Sequence, residues 1–333
     1  MARINLLAWD NQRGLTHDIR LLCSTLTGLG HEVQVTRLGP RRHDGRWQAL
    51  RLRARMWWQR LRHGDWHTTP YDINIALEHV RPDWCALARR NLLVPNPEWL
   101  SPRSRQYLPR YDAILCKTRY GVDLFNSLGC RALYIGFDST DCLDAAVPRK
   151  ASFLHLAGAS RMKGTERLLA LWRRHPEWPK LLVLQSPRTA VQAAGPTPAN
   201  IEHRLGHVRD EGEIRQLQNA HLFHLCLSET EGWGHYIAEA MSCGAVVITS
   251  DAAPMNELVQ PDRGVLVEAI GKGSFNLASL HQFDESALEE AIGRLTSLPF
   301  SELASLGRQA REWFEKNEAT FTQRVQAALA ELA

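Results

Sequence analysis

Residues 228–251 read S-E-T-E-G-W-G-H-Y-I-A-E-A-M-S-C-G-A-V-V-I-T-S-D. An apolar run over 222–227 ends just before this stretch, and a turn holding Gly232 and Gly234 follows. A helix then starts at Gly234 or His235, and Val246 opens the next apolar run. In open parallel sheets ligands bind outside the carboxyl ends of the strands, which is where this turn falls. The two glycines let a ligand approach the backbone closely, and the new helix offers free N–H groups at the positive end of its dipole, a setting that suits phosphate. Glu231 and Glu239 lie eight residues apart, one in the turn and one two turns down the helix, so they address different parts of one elongated ligand. Carboxylates accept paired hydrogen bonds from the vicinal diols of sugars and ribose.

Working outward, short apolar runs alternate with helical patterns almost throughout. In the first half, strands are expected at 4–9, 31–38, 72–77, 91–94, 113–116 and 132–135, with helices at 18–29, 46–62 and 119–128. In the second, strands are expected at 153–156, 181–184, 203–205, 222–227, 246–249 and 265–267, with helices at 165–174, 211–219 and 235–243 and a helical end from 284. Apolar strands alternating with helices imply parallel sheets covered on both faces. The rhythm restarts after the loop 136–150, so the expected fold is α/β, with two Rossmann-like domains. Their expected bounds are 1–140 and 150–310, with a C-terminal helix over 311–333 returning to the first domain.

Composition excludes several classes. The 333 residues are 44% hydrophobic and 23% charged, ordinary globular usage that rules out disorder and a disulfide mini-scaffold. The net charge of +4 is uneven: residues 41–67 hold eight arginines and two aspartates, and the remainder of the chain is at −2. Seven scattered cysteines without a C-x-x-C fit reduced thiols in a cytoplasmic protein. The N-terminal apolar run is shorter than the roughly 7–15 residues of a signal core. No stretch approaches the roughly 18 apolar residues of a membrane span. The expectation is a soluble, cytoplasmic chain, at most peripheral at the inner face of the cytoplasmic membrane.

The segment 228–251 closely resembles the E-x7-E signature of glycosyltransferase family 4, whose members are retaining enzymes of the GT-B fold; the resemblance implies that the two Rossmann-like domains face a central cleft. The match runs through Glu231-Gly232-Trp233-Gly234 and Glu239-Ala240-Met241-Ser242-Cys243-Gly244, with Trp233 where the family usually has Phe. The stretch Phe153-Leu154-His155-Leu156-Ala157-Gly158, followed by Ser160-Arg161-Met162-Lys163-Gly164, resembles the first strand of the family's second domain and its Arg…Lys diphosphate motif. Arg161 precedes Lys163 by two residues, a shorter spacing than in many members. Lysine, a compact cation, suits a leaving diphosphate that gains charge as the glycosidic bond breaks. An ordinary helix-start lysine is the alternative reading of Lys163. Leu205-Gly206-His207-Val208 resembles the loop that contacts the nucleobase. The resemblance implies catalytic roles for Glu231, Lys163 and His79. It implies donor contacts from Gly14, Arg161, Lys163, His207, Val208, Gly232, Trp233, Gly234, His235, Tyr236 and Glu239.

In the first half the match is mainly one of pattern. Gly14, after Asn11-Gln12-Arg13, stands where the family has a glycine-rich loop near the donor. His79, after the strand 72–77, stands where members have a histidine near the donor sugar; a loop histidine with local partners is the alternative. Over 46–62, Trp47, Leu50, Ala54, Trp57 or Trp58, and Leu61 share one helical stripe flanked by arginines. This basic segment, holding Arg41, Arg42, Arg46, Arg51, Arg53, Arg55, Arg60 and Arg62, suits an anionic membrane surface, an anionic glycan or glycolipid, or a nucleic-acid backbone. Equally, the helix packs its tryptophans on the sheet and leaves its arginines solvated.

The resemblance thus implies a hexosyltransferase-like enzyme that takes a sugar from a UDP-, GDP- or ADP-linked donor. No metal and no other cofactor is expected, since the chain has no D-x-D, no H-E-x-x-H and no Cys/His cluster. The expected acceptor is a bacterial cell-surface polysaccharide or glycolipid. A modified DNA base and a non-catalytic nucleotide-sugar binding module are the alternatives.

Overall fold

The computed structural model describes residues 1–10, 14–64, 66–191, 197–206 and 210–332. The chain forms two compact units. One comprises Met1–Phe137, Asn276–Ala278 and Ala319–Ala333; the other comprises Asp138–Phe275 and Ser279–Glu318.

The first unit is built on β1 (Arg3–Trp9), α1 (Gly14–Gly28), β2 (Glu32–Leu38), α2 (Arg46–His63), β3 (Tyr71–Leu77), β4 (Ala88–Val94), β5 (Ala113–Cys116), α3 (Arg119–Ser127) and β6 (Ala132–Tyr134). The strands form a parallel sheet in the order β2-β1-β3-β4-β5-β6. Leu7, Ala76, Leu93 and Ile114 pack from the sheet onto Met56, Trp84, Leu87 and Phe125. One row of the sheet is polar. Asn5, Asn74 and Asn91 stand in register on β1, β3 and β4. The Thr36 hydroxyl donates to Asn5 at 2.7 Å, Asn5 to Asn74 at 3.0 Å, and Asn74 to Asn91 at 3.1 Å. Every polar group of this buried row therefore has a partner, as low-dielectric surroundings require.

α1 begins at Gly14, four residues before the expected start, because Leu15 and Asp18 already belong to the stripe that Ile19, Leu22 and Leu26 bury on the sheet. The expected tryptophan stripe of α2 does not pack on the sheet. The residues that bury are Ala49 and Met56, with Leu52 beside them, and Trp47, Leu50, Trp57, Trp58 and Leu61 are exposed.

The second unit follows with β7 (Lys150–Gly158), α4 (Thr165–Arg174), β8 (Leu181–Gln185), β9 (Ile201–Leu205), α5 (Glu211–Ala220), β10 (His221–Cys226), α6 (His235–Ser242) and β11 (Val246–Asp251). Then come α7 (Met255–Leu258), β12 (Val265–Phe275), β13 (Ala278–Phe283), α8 (Glu285–Ser297) and α9 (Phe300–Glu331). The sheet order is β13-β12-β11-β10-β7-β8-β9. Phe153 stacks on Phe223 with ring centroids 4.6 Å apart, and Trp172, Leu225, Ile248, Phe283 and Ile292 complete this core.

Two expectations need correction here. The strand expected at 265–267 runs on to Phe275, and β13 pairs beside it after a two-residue turn, so an antiparallel hairpin edges an otherwise parallel sheet. Its arm 268–275 is exposed or nearly so and carries Gly271 and Gly273, so it shows neither an apolar run nor a clean alternation.

The packing of α9 on the second unit depends on a missing side chain. A Cβ on Gly307 would overlap the carbonyl oxygen of Gly244, which has itself a left-handed φ of +63°. Gly307→Ala is expected to cost about 1–3 kcal/mol, as overpacking does, and to lower the melting temperature by several degrees. Gly293→Ala, on α8 with open space around it, serves as the control and gains stability through helix propensity. Equal melting temperatures for the two variants would contradict the close approach.

Candidate active site at the sheet switch points

In each sheet the chain reverses its direction of strand addition once. From β7 it proceeds outward to β8 and β9, then returns to lay β10 on the other side of β7. The loops after two such strands diverge, and the crevice they leave is the usual ligand site of a doubly wound sheet. Here the loop after β7 leads into α4, and the loop after β10 leads into α6.

Side chains join these two loops. Lys163 donates to Glu231 Oε1 at 2.5 Å, and Ser228 donates to the same oxygen at 2.5 Å. The Lys163 ammonium also lies 3.3 Å from the centroid of the Tyr236 ring, whose hydroxyl meets Ser228 at 2.5 Å. The Glu229 amide donates to the Met162 carbonyl at 2.8 Å, so backbone binds the loops as well. Both helices start on glycine in a left-handed conformation, Gly164 at φ +66° and Gly234 at φ +98°. At Gly164 a Cβ would stand 2.8 Å from the Leu227 carbonyl oxygen, so the loop after β7 can approach the end of β10 only through a glycine.

Glu239 lies on α6 with Gln218 donating to it at 3.3 Å. Burial raises its pKa, and His235, Gln218 and Lys163 oppose that rise. Burial likewise lifts the Tyr236 phenol well above its usual range, so this ring stays neutral. Trp233 is buried, and its indole donates to Ser139 at 3.1 Å, while Ser139 also meets His235 Nδ1 at 2.9 Å. Trp233 thus braces the turn from within, and Gly232 beside it is buried too. Arg161 is exposed and lines a cavity of about 280 Å³ with Gly164, Gln185, Glu229, Lys272 and Phe283. His207 and Val208 lie outside the described residues, as do Asn11, Gln12 and Arg13.

Sequence reasoning passed over His155. Burial depresses this histidine to about 4, so it is neutral. Its Nδ1 donates to the Leu225 carbonyl at 2.8 Å, which leaves Nε2 to accept from the Thr165 hydroxyl at 2.9 Å. One side chain thereby fixes β7, β10 and the first residue of α4 together. A single polar residue inside the run Phe153-Leu154-His155-Leu156 is the signal that marks it.

The switch point of the first sheet lies between β1 and β3. Gly14 opens the helix after β1, and His79 follows β3, its ring edge-on to Trp9 with centroids 6.3 Å apart. Burial, with Arg81 nearby, depresses His79 to about 4. Beside it stands a residue the sequence did not announce. Glu78 is buried and non-glycine, yet it holds φ +63°. Strained backbone of this kind gathers at functional sites. Burial pushes the Glu78 carboxyl up to about 7, with Asp18 adding to the shift and Lys117 and Arg81 opposing it. Lys117 and Asp18 form a buried ion pair at 2.5 Å.

Comparisons with known proteins bear on the fold. Residues 198–313 match the family model described as glycosyl transferases group 1, and that span includes Glu231 and Glu239. No curated protein sequence matches the chain. Solved structures do. The sucrose-phosphate synthase of Thermosynechococcus elongatus is similar with a TM-score of 0.70 and 15% identity, covering 100% of this chain and 99% of that one. Anabaena HepE in complex with UDP-glucose gives 0.69 and 14%, covering 99% of this chain and 100% of that one. The E. coli trehalose-6-phosphate protein bound with UDP-2-fluoro glucose gives 0.66 and 13%, covering 99% and 98%. The chain therefore has the GT-B fold, two Rossmann-like α/β domains with parallel sheets, and residues 198–313 of its second half are similar to the group 1 glycosyl transferase model.

Glu78 makes stability depend on pH in a defined direction. Its folded pKa of about 7 lies above the ordinary 4.5, so its stabilising contribution is complete below pH 4.5 and is lost as the pH rises through 7. Glu78→Gln removes that loss. The variant should match the wild type near pH 5 and exceed it near pH 8, by up to about 3 kcal/mol. Urea unfolding at both pH values measures this, and an identical gap at the two would refute it.

Proposed function

We propose that this chain is a retaining glycosyltransferase that moves a hexosyl group from a UDP-linked sugar to an acceptor. The observation that carries the reading is the Lys163–Glu231 pair across the switch point, where α4 and α6 both begin. The nucleoside diphosphate meets Lys163, Arg161 and two helix N-termini, cations and dipoles that offset the charge growing on the leaving group. This supply of positive charge from the chain itself supports a metal-independent reaction. Glu239 accepts from the ribose diol, and Glu231 holds Lys163 in place and faces the sugar. UDP is favoured among the possible nucleotides because the related Anabaena structure holds UDP-glucose and the E. coli one holds UDP-2-fluoro glucose.

The bond from the anomeric carbon to the diphosphate breaks on the face where the bond to the acceptor oxygen forms. The acceptor proton passes to the leaving phosphate oxygen, and the anomeric configuration is kept. His79, held neutral, is a hydrogen-bond partner for the donor sugar or the incoming hydroxyl. A cell-surface polysaccharide or a glycolipid, glycosylated at the cytoplasmic side, is the acceptor class we favour over a modified DNA base.

Lys163→Ala should weaken UDP binding by about 1–3 kcal/mol, the scale of one charge-assisted hydrogen bond, and Glu239→Ala should weaken uridine binding as well. Calorimetric titration reads both. UDP-glucose hydrolysis by the wild type, unaffected by EDTA and yielding an α-linked product when an acceptor is supplied, is the expected activity. Unchanged UDP affinity in both variants overturns the donor site. UDP binding without any turnover of the sugar would instead define a binding module.

A further inference from the structure

Helix α2 has two apolar stripes where an ordinary surface helix has one. Ala49, Leu52 and Met56 form the narrow stripe packed on the first unit's core. At 100° per residue, Trp57, Leu50, Leu61, Trp47 and Trp58 fall within a second sector about 100° wide on the far side. These residues are solvent-exposed, Trp47 at 77%, Trp58 at 67% and Leu61 at 64%. The same construction sets Arg46, Arg53 and Arg60 along one edge of that sector and Arg51, Arg55 and Arg62 along the other. The helix holds six arginines and no carboxylate in its 18 residues. Trp66, just past its end, extends the apolar face, edge-on to Trp57 with centroids 5.8 Å apart.

We propose that α2 lies in the plane of an anionic lipid bilayer surface, its Trp47–Trp58–Leu61 stripe among the acyl chains and its two rows of arginines among the phosphates. The arrangement of charge and apolar surface selects lipid over other polyanions. A nucleic acid or an acidic glycan would pair with the arginines and leave the large apolar stripe in water. A bilayer satisfies both, since apolar surface sits at the headgroup boundary while basic residues on either side reach the phosphates. No helix among the described residues is long and apolar enough to cross a membrane, so attachment is in-plane and reversible. The inference is independent of the donor reading, because it rests on a surface of the first unit and is measured without nucleotide.

The test is co-sedimentation of the full chain with vesicles of phosphatidylcholine alone or with about one-third phosphatidylglycerol. A basic residue near an anionic surface is worth about five-fold in binding, so the wild type should prefer the anionic vesicles by about ten-fold or more and release in high salt. Brominated acyl chains should quench its tryptophan fluorescence. The triple variant Arg51→Gln, Arg55→Gln, Arg62→Gln should lose the preference for anionic lipid. The double variant Trp58→Ser, Leu61→Ser should lose about ten-fold on anionic vesicles and most of the quenching, with an unchanged melting temperature because both side chains are exposed. If the double variant binds as the wild type does, charge alone acts and the proposal fails. It also fails if the wild type ignores vesicles, or if it binds duplex DNA more tightly than anionic vesicles. A chain that binds vesicles but not UDP would overturn the donor reading and leave this one standing.

Discussion

The ion pair between Lys163 and Glu231 is the interaction around which the second unit is arranged. A charged pair at the end of two buried strands needs partners for its remaining polar atoms, because isolated charge is costly away from water. Ser228 supplies one, the face of Tyr236 another, and His155 holds the two strand ends at the separation the pair requires. Glycine at 164 removes the Cβ that would force the loops apart. Each of these features is ordinary alone. Together they set two helix N-termini beside Lys163, Glu231 and Glu239.

Much of this was legible in the sequence, and the reason is physical. Buried parallel strands must be continuously apolar, so the runs 153–156, 181–184 and 246–249 announce themselves, as do helices closed by glycine. The turn 231–234 is equally plain because glycine, carboxylate and strand end occur in a fixed order. The β12–β13 arm was hidden because an exposed hairpin has no buried side to impose a pattern. The start of α1 was obscured because Gly14 and Thr16 continue a run of turn-type residues, although Leu15 between them already belongs to the buried stripe.

The same limit explains what was missed in the candidate sites. His155 and Glu78 owe their character to burial and to neighbours distant in the chain. In the string of residues, Glu78 is one glutamate among many before a histidine; in the fold it is a carboxyl held near neutrality in a strained turn. For α2 the pattern was visible but ambiguous, since a tryptophan stripe reads the same whether it faces a core or a solvent. Only the burial of Ala49 and Met56 on the opposite side decides it.

The polar row through the first sheet reaches further than register. After linking Thr36, Asn5, Asn74 and Asn91, it ends on backbone, with Asn74 donating to the Trp84 carbonyl at 2.8 Å and Asn91 to the Cys85 carbonyl at 3.1 Å. Those two carbonyls belong to the connection between β3 and β4, the same segment that carries Glu78 and His79. A one-residue slip between strands would leave buried amides unpaired at about 1–3 kcal/mol each, and would also unhook this connection. The row therefore acts as a ruler. It ties the placement of the Glu78–His79 turn to the register of four neighbouring strands, β2, β1, β3 and β4, so that correct pairing of the sheet and correct presentation of the turn are a single structural event.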